Sequence, residues 1–127
     1  MFRIESFAHG SVIVADTRQA LRFYQDLLGL AVNPARPDLG YPGAWLEVGD
    51  GTQIHLLELP NPDPTAERPP HGGRDRHLAF NVTGLDALAA RLDAAGVAYT
   101  RSRSGRAAMF CRDPDGNTLE LIETPPG

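Results

Sequence analysis

The chain has a single cysteine, Cys111, in 127 residues. That excludes an internal disulfide and argues for a reducing compartment. No run of about 18 apolar residues occurs, and the start Met1-Phe2-Arg3-Ile4-Glu5 has no long apolar stretch behind a basic opening, so neither a membrane-spanning helix nor an export signal is expected. The chain reads as cytoplasmic. Positive charge is also short: 12 Lys and Arg against 16 Asp and Glu leave a net charge of -4. A concentrated basic face is what nucleic acid or an anionic membrane requires, so neither is an expected partner. The length is too small for two independent domains and suits one domain, or two half-size modules that share a core.

What is present is a repeat. Asp50-Gly51-Thr52-Gln53-Ile54-His55-Leu56-Leu57-Glu58 returns 65 residues later as Asp115-Gly116-Asn117-Thr118-Leu119-Glu120-Leu121-Ile122-Glu123. In each copy an Asp-Gly turn launches an alternating apolar strand, with His55 in the first and Glu120 in the second at the same register. Earlier landmarks repeat at nearly the same distance: His9 and His77, Asp16 and Thr83, Gly29 and Gly96. Phe2 to Val14 is expected as the first strand. Asp16 with Gln19 forms a capping-box pattern ahead of a helical stripe, Ala20, Leu21, Phe23, Tyr24, Leu27 and Leu28, that ends at Gly29. Residues 33–43 read as loop, and Ala44 to Val48 and Thr52 to Leu59 as strands. In the second half, His77 to Val82 is a strand, and Thr83 with Asp86 caps a helix that Gly96 stops. Strands follow near Ala98 to Thr100, Ala107 to Arg112 and Asn117 to Glu123. The expected architecture is α+β: two tandem βαβββ modules forming a curved mixed sheet, residues 1–59 and 76–124, joined by a Pro/Gly-rich connector over 60–75.

Strand parity puts His55 on one face with Gln53 and Leu57, and Glu120 with Thr118 and Ile122, while Glu58 and Glu123 point the opposite way. If both halves curl those faces around one concavity, His9, His55, His77 and Glu120 converge there. Three imidazoles and one carboxylate suit a divalent transition metal ion (Zn, Ni, Co, Fe or Mn). The fourth histidine, His71, lies in the connector and stands outside this register. Arg106, beside Ser104 and Gly105, is either a contact for an anionic substrate or part of a solvated loop. Tyr41 and Trp45 either line the pocket or fill the core. Glu47 is either a base or an exposed strand residue, and Cys111 a small packing residue.

Several stretches together make the chain resemble the vicinal oxygen chelate superfamily of glyoxalase I, fosfomycin-resistance thiol transferases, extradiol dioxygenases and bleomycin-binding proteins. They are His9 seven residues before Asp16, Phe23-Tyr24-Gln25-Asp26-Leu27-Leu28-Gly29-Leu30, Ile54-His55-Leu56, Arg76-His77-Leu78-Ala79-Phe80, and Asp113-Pro114 leading into the final strand. The resemblance implies that His9, His55, His77 and Glu120 hold the metal. It also implies a homodimer or tandem array, and a small-molecule substrate.

Two departures bear on activity. Glyoxalase I typically has Glu where this chain has His55, which leaves Glu120 as the provisional base. Bacterial glyoxalase I also tends to carry Arg and Asn at the positions of Ile13 and Leu59, where they touch glutathione. The leading expectation is a glyoxalase-like, lactoylglutathione lyase-type isomerisation, in which the metal acts as a Lewis acid on two neighbouring oxygens and stabilises an enediolate. The alternatives are a non-catalytic antibiotic-type binding protein that uses an apolar concavity of Ile13, Leu57, Leu59 and Trp45, and an Fe(II) extradiol-type dioxygenase.

Overall fold

The structure is a computed structural model and describes residues 1–125. It comprises two compact units, Met1–Pro60 and the chain from Asn61 onward. In the first, β1 (His9–Val14) is followed by α1 (Thr17–Leu21), a π-helical continuation over Arg22–Leu27, β2 (Ala31–Asn33), β3 (Gly43–Glu47) and β4 (Gln53–Glu58). These strands form one sheet in the order β1-β4-β3-β2, with β1 parallel to β4 and the other pairs antiparallel. The second unit repeats the plan with β5 (His77–Val82), α2 (Leu85–Ala94), β6 (Tyr99–Arg101), β7 (Ala108–Arg112) and β8 (Thr118–Glu123), in the order β5-β8-β7-β6. The tandem βαβββ fold expected from the repeat is therefore present. The repeat also holds across strands: His55 pairs with Ser11 and Trp45, and Glu120 pairs with Ala79 and Phe110.

Alternation explains which face of each sheet is covered. In the first unit Ala44, Leu46, Ile54 and Leu56 are buried together with Ala20, Phe23 and Tyr24 of the helical segment, while Trp45, Gln53, His55 and Leu57 face the other way and are half-buried. In the second, Met109, Cys111, Leu119 and Leu121 are buried with Leu85, Ala89 and Leu92 of α2. Burial of the Cys111 thiol, with Asp113 beside it, pushes its pKa up to about 12, as befits a packing residue rather than a nucleophile.

Both helices are clamped by the last residue of their unit's closing strand. Glu58 Oε1 accepts from the Thr17 amide at 2.7 Å, and Glu123 Oε2 accepts from the Leu85 amide at 2.8 Å. A carboxylate here satisfies a free helix N–H and complements the positive end of the helix dipole. Asp16 caps α1 as expected, accepting from the Arg18 and Gln19 amides at 2.9 and 3.3 Å. The second cap differs from expectation. Gly84 is the cap residue of α2, its φ of 76° permits the left-handed turn into the helix, and Glu123 takes the role assigned to Thr83 and Asp86. Gly96, with φ 71°, follows the end of α2 as expected.

Other boundaries moved. The first ladder begins at His9, not Phe2, because its partner β4 begins at Gln53, whose amide makes the last contact with the Ala8 carbonyl at 3.2 Å. Phe2, Ile4 and Phe7 are exposed at 88%, 85% and 66%: local alternation without a neighbouring strand does not make a strand. β2 is an element the sequence pattern does not show, with only its last residue, Asn33, inside the expected loop, since three residues are too short to show a period and only pairing with β3 defines them. The stripe read as one α-helix widens into a π-turn at Arg22.

The connector is free of ladder pairing, with one 3₁₀ turn at Gly72–Arg74. It is tied to the second sheet by charge. Asp75 accepts from Arg68 Nε at 2.9 Å and Arg112 Nη1 at 2.8 Å, and Arg112 Nη2 also donates to the Pro69 carbonyl at 2.7 Å. Burial opposes ionisation of Asp75, but the two guanidiniums outweigh it and bring its pKa down to about 2. Among the described residues no helix is long and apolar enough to cross a membrane.

Candidate functional site

In the first unit three rings form a column on the half-buried face. His55 lies 3.8 Å from the His9 ring and 4.5 Å from Trp45, with interplanar angles of 13° and 7°. The parallel strand pairing of β1 with β4 brings the two histidines together, and the antiparallel pairing of β4 with β3 adds the indole. Desolvation lowers the His55 pKa, and the charges of His9 and Arg36 lower it further, which favours the neutral imidazole a metal requires. Tyr41 stands apart from this column: Arg36 lies 5.3 Å above its ring and donates to its carbonyl at 2.8 Å.

In the second unit β5 and β8 bring His77 Nε2 to 3.3 Å from Glu120 Oε1. Glu120 is buried, at 3% exposure, and its other oxygen lies 3.3 Å from Arg106 Nη2. Phe110, opposite Glu120, sets its ring edge-on to His77 at 5.2 Å. The Asp75 carbonyl, which can only accept, is 2.8 Å from His77 Nδ1. The ring proton therefore sits on Nδ1, and the Nε2 lone pair faces a carboxylate oxygen. Two electron-pair donors held this close need a cation, either a proton on Nε2 or a metal ion. A backbone carbonyl on the far ring nitrogen is also what orients a histidine ligand, so His77 and Glu120 fit a divalent metal.

Each unit by itself joins two of the four expected ligands, His9 with His55 and His77 with Glu120. Among the described residues, no group of three or more His, Cys, Asp or Glu side chains is assembled as a metal centre. Arg106 contacts Glu120, and Trp45 stacks on His55. The second unit also contains a cavity of about 340 Å³ against β6 and β7, lined among others by Pro70, Val97, Tyr99, Phe110 and Thr118. Its wall includes Thr118, two residues before Glu120 on β8.

The profile of the Glyoxalase/Bleomycin resistance protein/Dioxygenase superfamily matches residues 6–121. The chain belongs to this superfamily. Relatives within it have diverse names. Lactoylglutathione lyase of Haemophilus influenzae is 30% identical over 122 residues, covering 91% of this chain and 90% of that protein. Glutathione transferase FosA of Serratia marcescens is 32% identical over 121 residues, covering 93% and 80%. The solved structure of TnmS3, an antibiotic binding protein from Streptomyces sp. CB03234, superposes with a TM-score of 0.74 at 26% identity, covering 98% of this chain and all of that one. The superfamily thus includes both named enzymes and a named binder.

Sequence reasoning passed over Gln53 and Asp75, and left Glu47 between two readings. Glu47 is a half-buried residue that accepts hydrogen bonds from Asn33 at 2.6 Å and Gln53 at 2.7 Å, and Gln53 in turn meets His55 at 2.8 Å. The i, i+2 spacing of Gln53 and His55 was the available signal; the cross-strand placement of Glu47 had none. His71 is structural, buried against Phe110 with Nδ1 2.8 Å from Thr100 Oγ1.

Proposed function

We propose that the chain is a divalent-metal-dependent, glyoxalase-like enzyme that isomerises an α-hydroxy carbonyl or thiohemiacetal substrate. The observation that carries this reading is the His77–Glu120 pair: the imidazole Nε2 and a buried carboxylate oxygen 3.3 Å apart, with the ring fixed from behind by Asp75. His9, His55, His77 and Glu120 would hold the ion. When bound, a divalent ion supplies Lewis-acid polarisation of two neighbouring substrate oxygens.

The remaining roles belong to the chain itself. Glu120 is the base, taking the substrate proton on a carboxylate oxygen; its burial excludes water from that oxygen. Arg106 sits on Glu120 Oε2, where it balances the carboxylate and places a guanidinium within reach of negative charge on a bound substrate. Trp45 stacks on His55 and limits its rotation. Tyr41, under Arg36, lines the approach in this reading. We further propose a homodimer, measurable by sedimentation, and a cytoplasmic location.

Turnover of hemithioacetals by protein loaded separately with Ni, Co, Zn and Fe(II) tests the reading, with metal content measured in parallel. Isomerisation in at least one metal form, lost in Glu120→Gln, is expected. Bound metal with no turnover in any form would end the isomerase reading. A second reading, a non-catalytic binder, draws on the likeness to the antibiotic binding protein. It requires that removing metal by chelation leave both stability and ligand binding unchanged, whereas a site coupled to folding loses stability.

A further inference from the structure

The hydrogen bonds behind His55 converge on Glu47. The Ala35 amide must donate, and it does so to Asn33 Oδ1 at 2.8 Å, which fixes that side chain with Nδ2 toward Glu47. The Glu47 carboxylate can only accept, and its Oε1 takes both Asn33 Nδ2 and Gln53 Nε2. With its nitrogen committed to Glu47, Gln53 presents its amide oxygen to His55 Nε2 at 2.8 Å. An amide oxygen accepts, so the ring nitrogen there carries the proton. No ambiguity of amide orientation survives, because each amide has one partner of fixed sense, the Ala35 N–H for Asn33 and the Glu47 carboxylate for Gln53.

We infer that Asn33, Glu47 and Gln53 are positioning residues that hold His55 as its Nε2–H tautomer, leaving Nδ1 as the atom it offers to a cation. His77 is held the opposite way, with Nδ1 protonated toward the Asp75 carbonyl and Nε2 turned to Glu120. The two units thus present imidazoles of opposite tautomer. The consequence for a cation rests on the proposed reading of His55 as a ligand; the tautomer itself does not. His55 is also stacked on both His9 and Trp45, which confines the ring to its plane.

The test is long-range ¹⁵N–¹H NMR of the histidine rings in metal-free protein, at a pH above the ordinary imidazole pKa of about 6.5. His55 should show a protonated Nε2 and a bare Nδ1, and His77 a protonated Nδ1. Gln53→Leu should collapse His55 toward a mixture of tautomers. The double variant Glu47→Gln/Gln53→Glu moves the carboxylate one place along the same hydrogen-bond chain, keeps a donor between positions 47 and 53 and an acceptor toward His55, and should restore the Nε2–H form, which separates positioning from packing. A wild-type His55 with the proton on Nδ1, or an unchanged spectrum in Gln53→Leu, overturns the inference. Zn(II) affinity, by competition with a chromophoric chelator, reads the consequence. Gln53→Leu should bind about 10–100-fold more weakly and Glu47→Gln/Gln53→Glu close to wild type. Equal affinity in Gln53→Leu and wild type overturns the assignment of Nδ1 as the offered atom. If no form binds Zn(II), the proposed metal-dependent function fails, while the spectra still decide the tautomer.

Discussion

The two units share one backbone plan and differ in how they support their polar face. Topology, the parallel pairing of first and last strands, and the closing glutamate on the helix N-terminus are the same in both. At the strand position next to the closing ligand's own face, however, the first unit has Glu47 and the second Arg112. These residues occupy matching places, Glu47 opposite Gln53 and Arg112 opposite Thr118. Glu47 acts through Gln53 on the closing ligand, His55. Arg112 binds Asp75 and the connector, and Asp75 supplies the carbonyl that orients the opening ligand, His77. Duplication preserved what the backbone needs; the charged supports diverged because each has to orient a different side chain.

The largest expected asymmetry lies in chemistry. Under the proposed function, Glu120→Gln should lower kcat about 10²–10⁴-fold, the range of a lost general base, while Glu47→Gln leaves a measurable rate. Equal losses would erase the functional distinction between the units. Next comes stability, measured by urea denaturation. Arg112→Ala leaves Asp75 to Arg68 alone and takes the donor from the Pro69 carbonyl, and should cost about 2–3 kcal/mol, whereas Glu47→Ala, on a half-exposed face, should cost about 1 kcal/mol.

A smaller effect is the acid-limb pH dependence from Asp75 of the second unit. The folded pKa of Asp75, about 2, lies below its ordinary value. Its contribution is therefore complete above about pH 4 and is lost as pH falls through about 2. Asp75→Asn should flatten the acid limb of the stability curve; an unchanged limb would show that the two guanidiniums do not set the titration. The smallest effects should be symmetric. Glu58→Gln and Glu123→Gln should each weaken a helix N-terminus by about 1 kcal/mol, in the range of capping and dipole interactions, and unequal losses would contradict the equivalence of the two clamps.

Much of this was legible because it is local or periodic. The Asp-Gly turns, the alternation through Ile54, His55 and Leu56, and the matching run through Leu119, Glu120 and Leu121 state both the strand and the face. The opposite pointing of Glu58 and Glu123 followed from the same parity, and the structure shows both turned to their helices. Misjudged elements were those whose identity depends on a partner: β2, the start of β1, and the cap of α2.

By itself the sequence determined the duplication, the fold class and which side chains share a face, since these depend on spacing along the chain and on the two-residue period of a strand. The tertiary structure alone decided that Glu123 starts a helix 38 residues earlier, that Asp75 is held by Arg68 and Arg112, and that Gln53 and Asp75 orient the two histidines in opposite senses. Hydrogen bonds of that kind join atoms remote in sequence and are set by strand register, and the register is a property of the folded sheet.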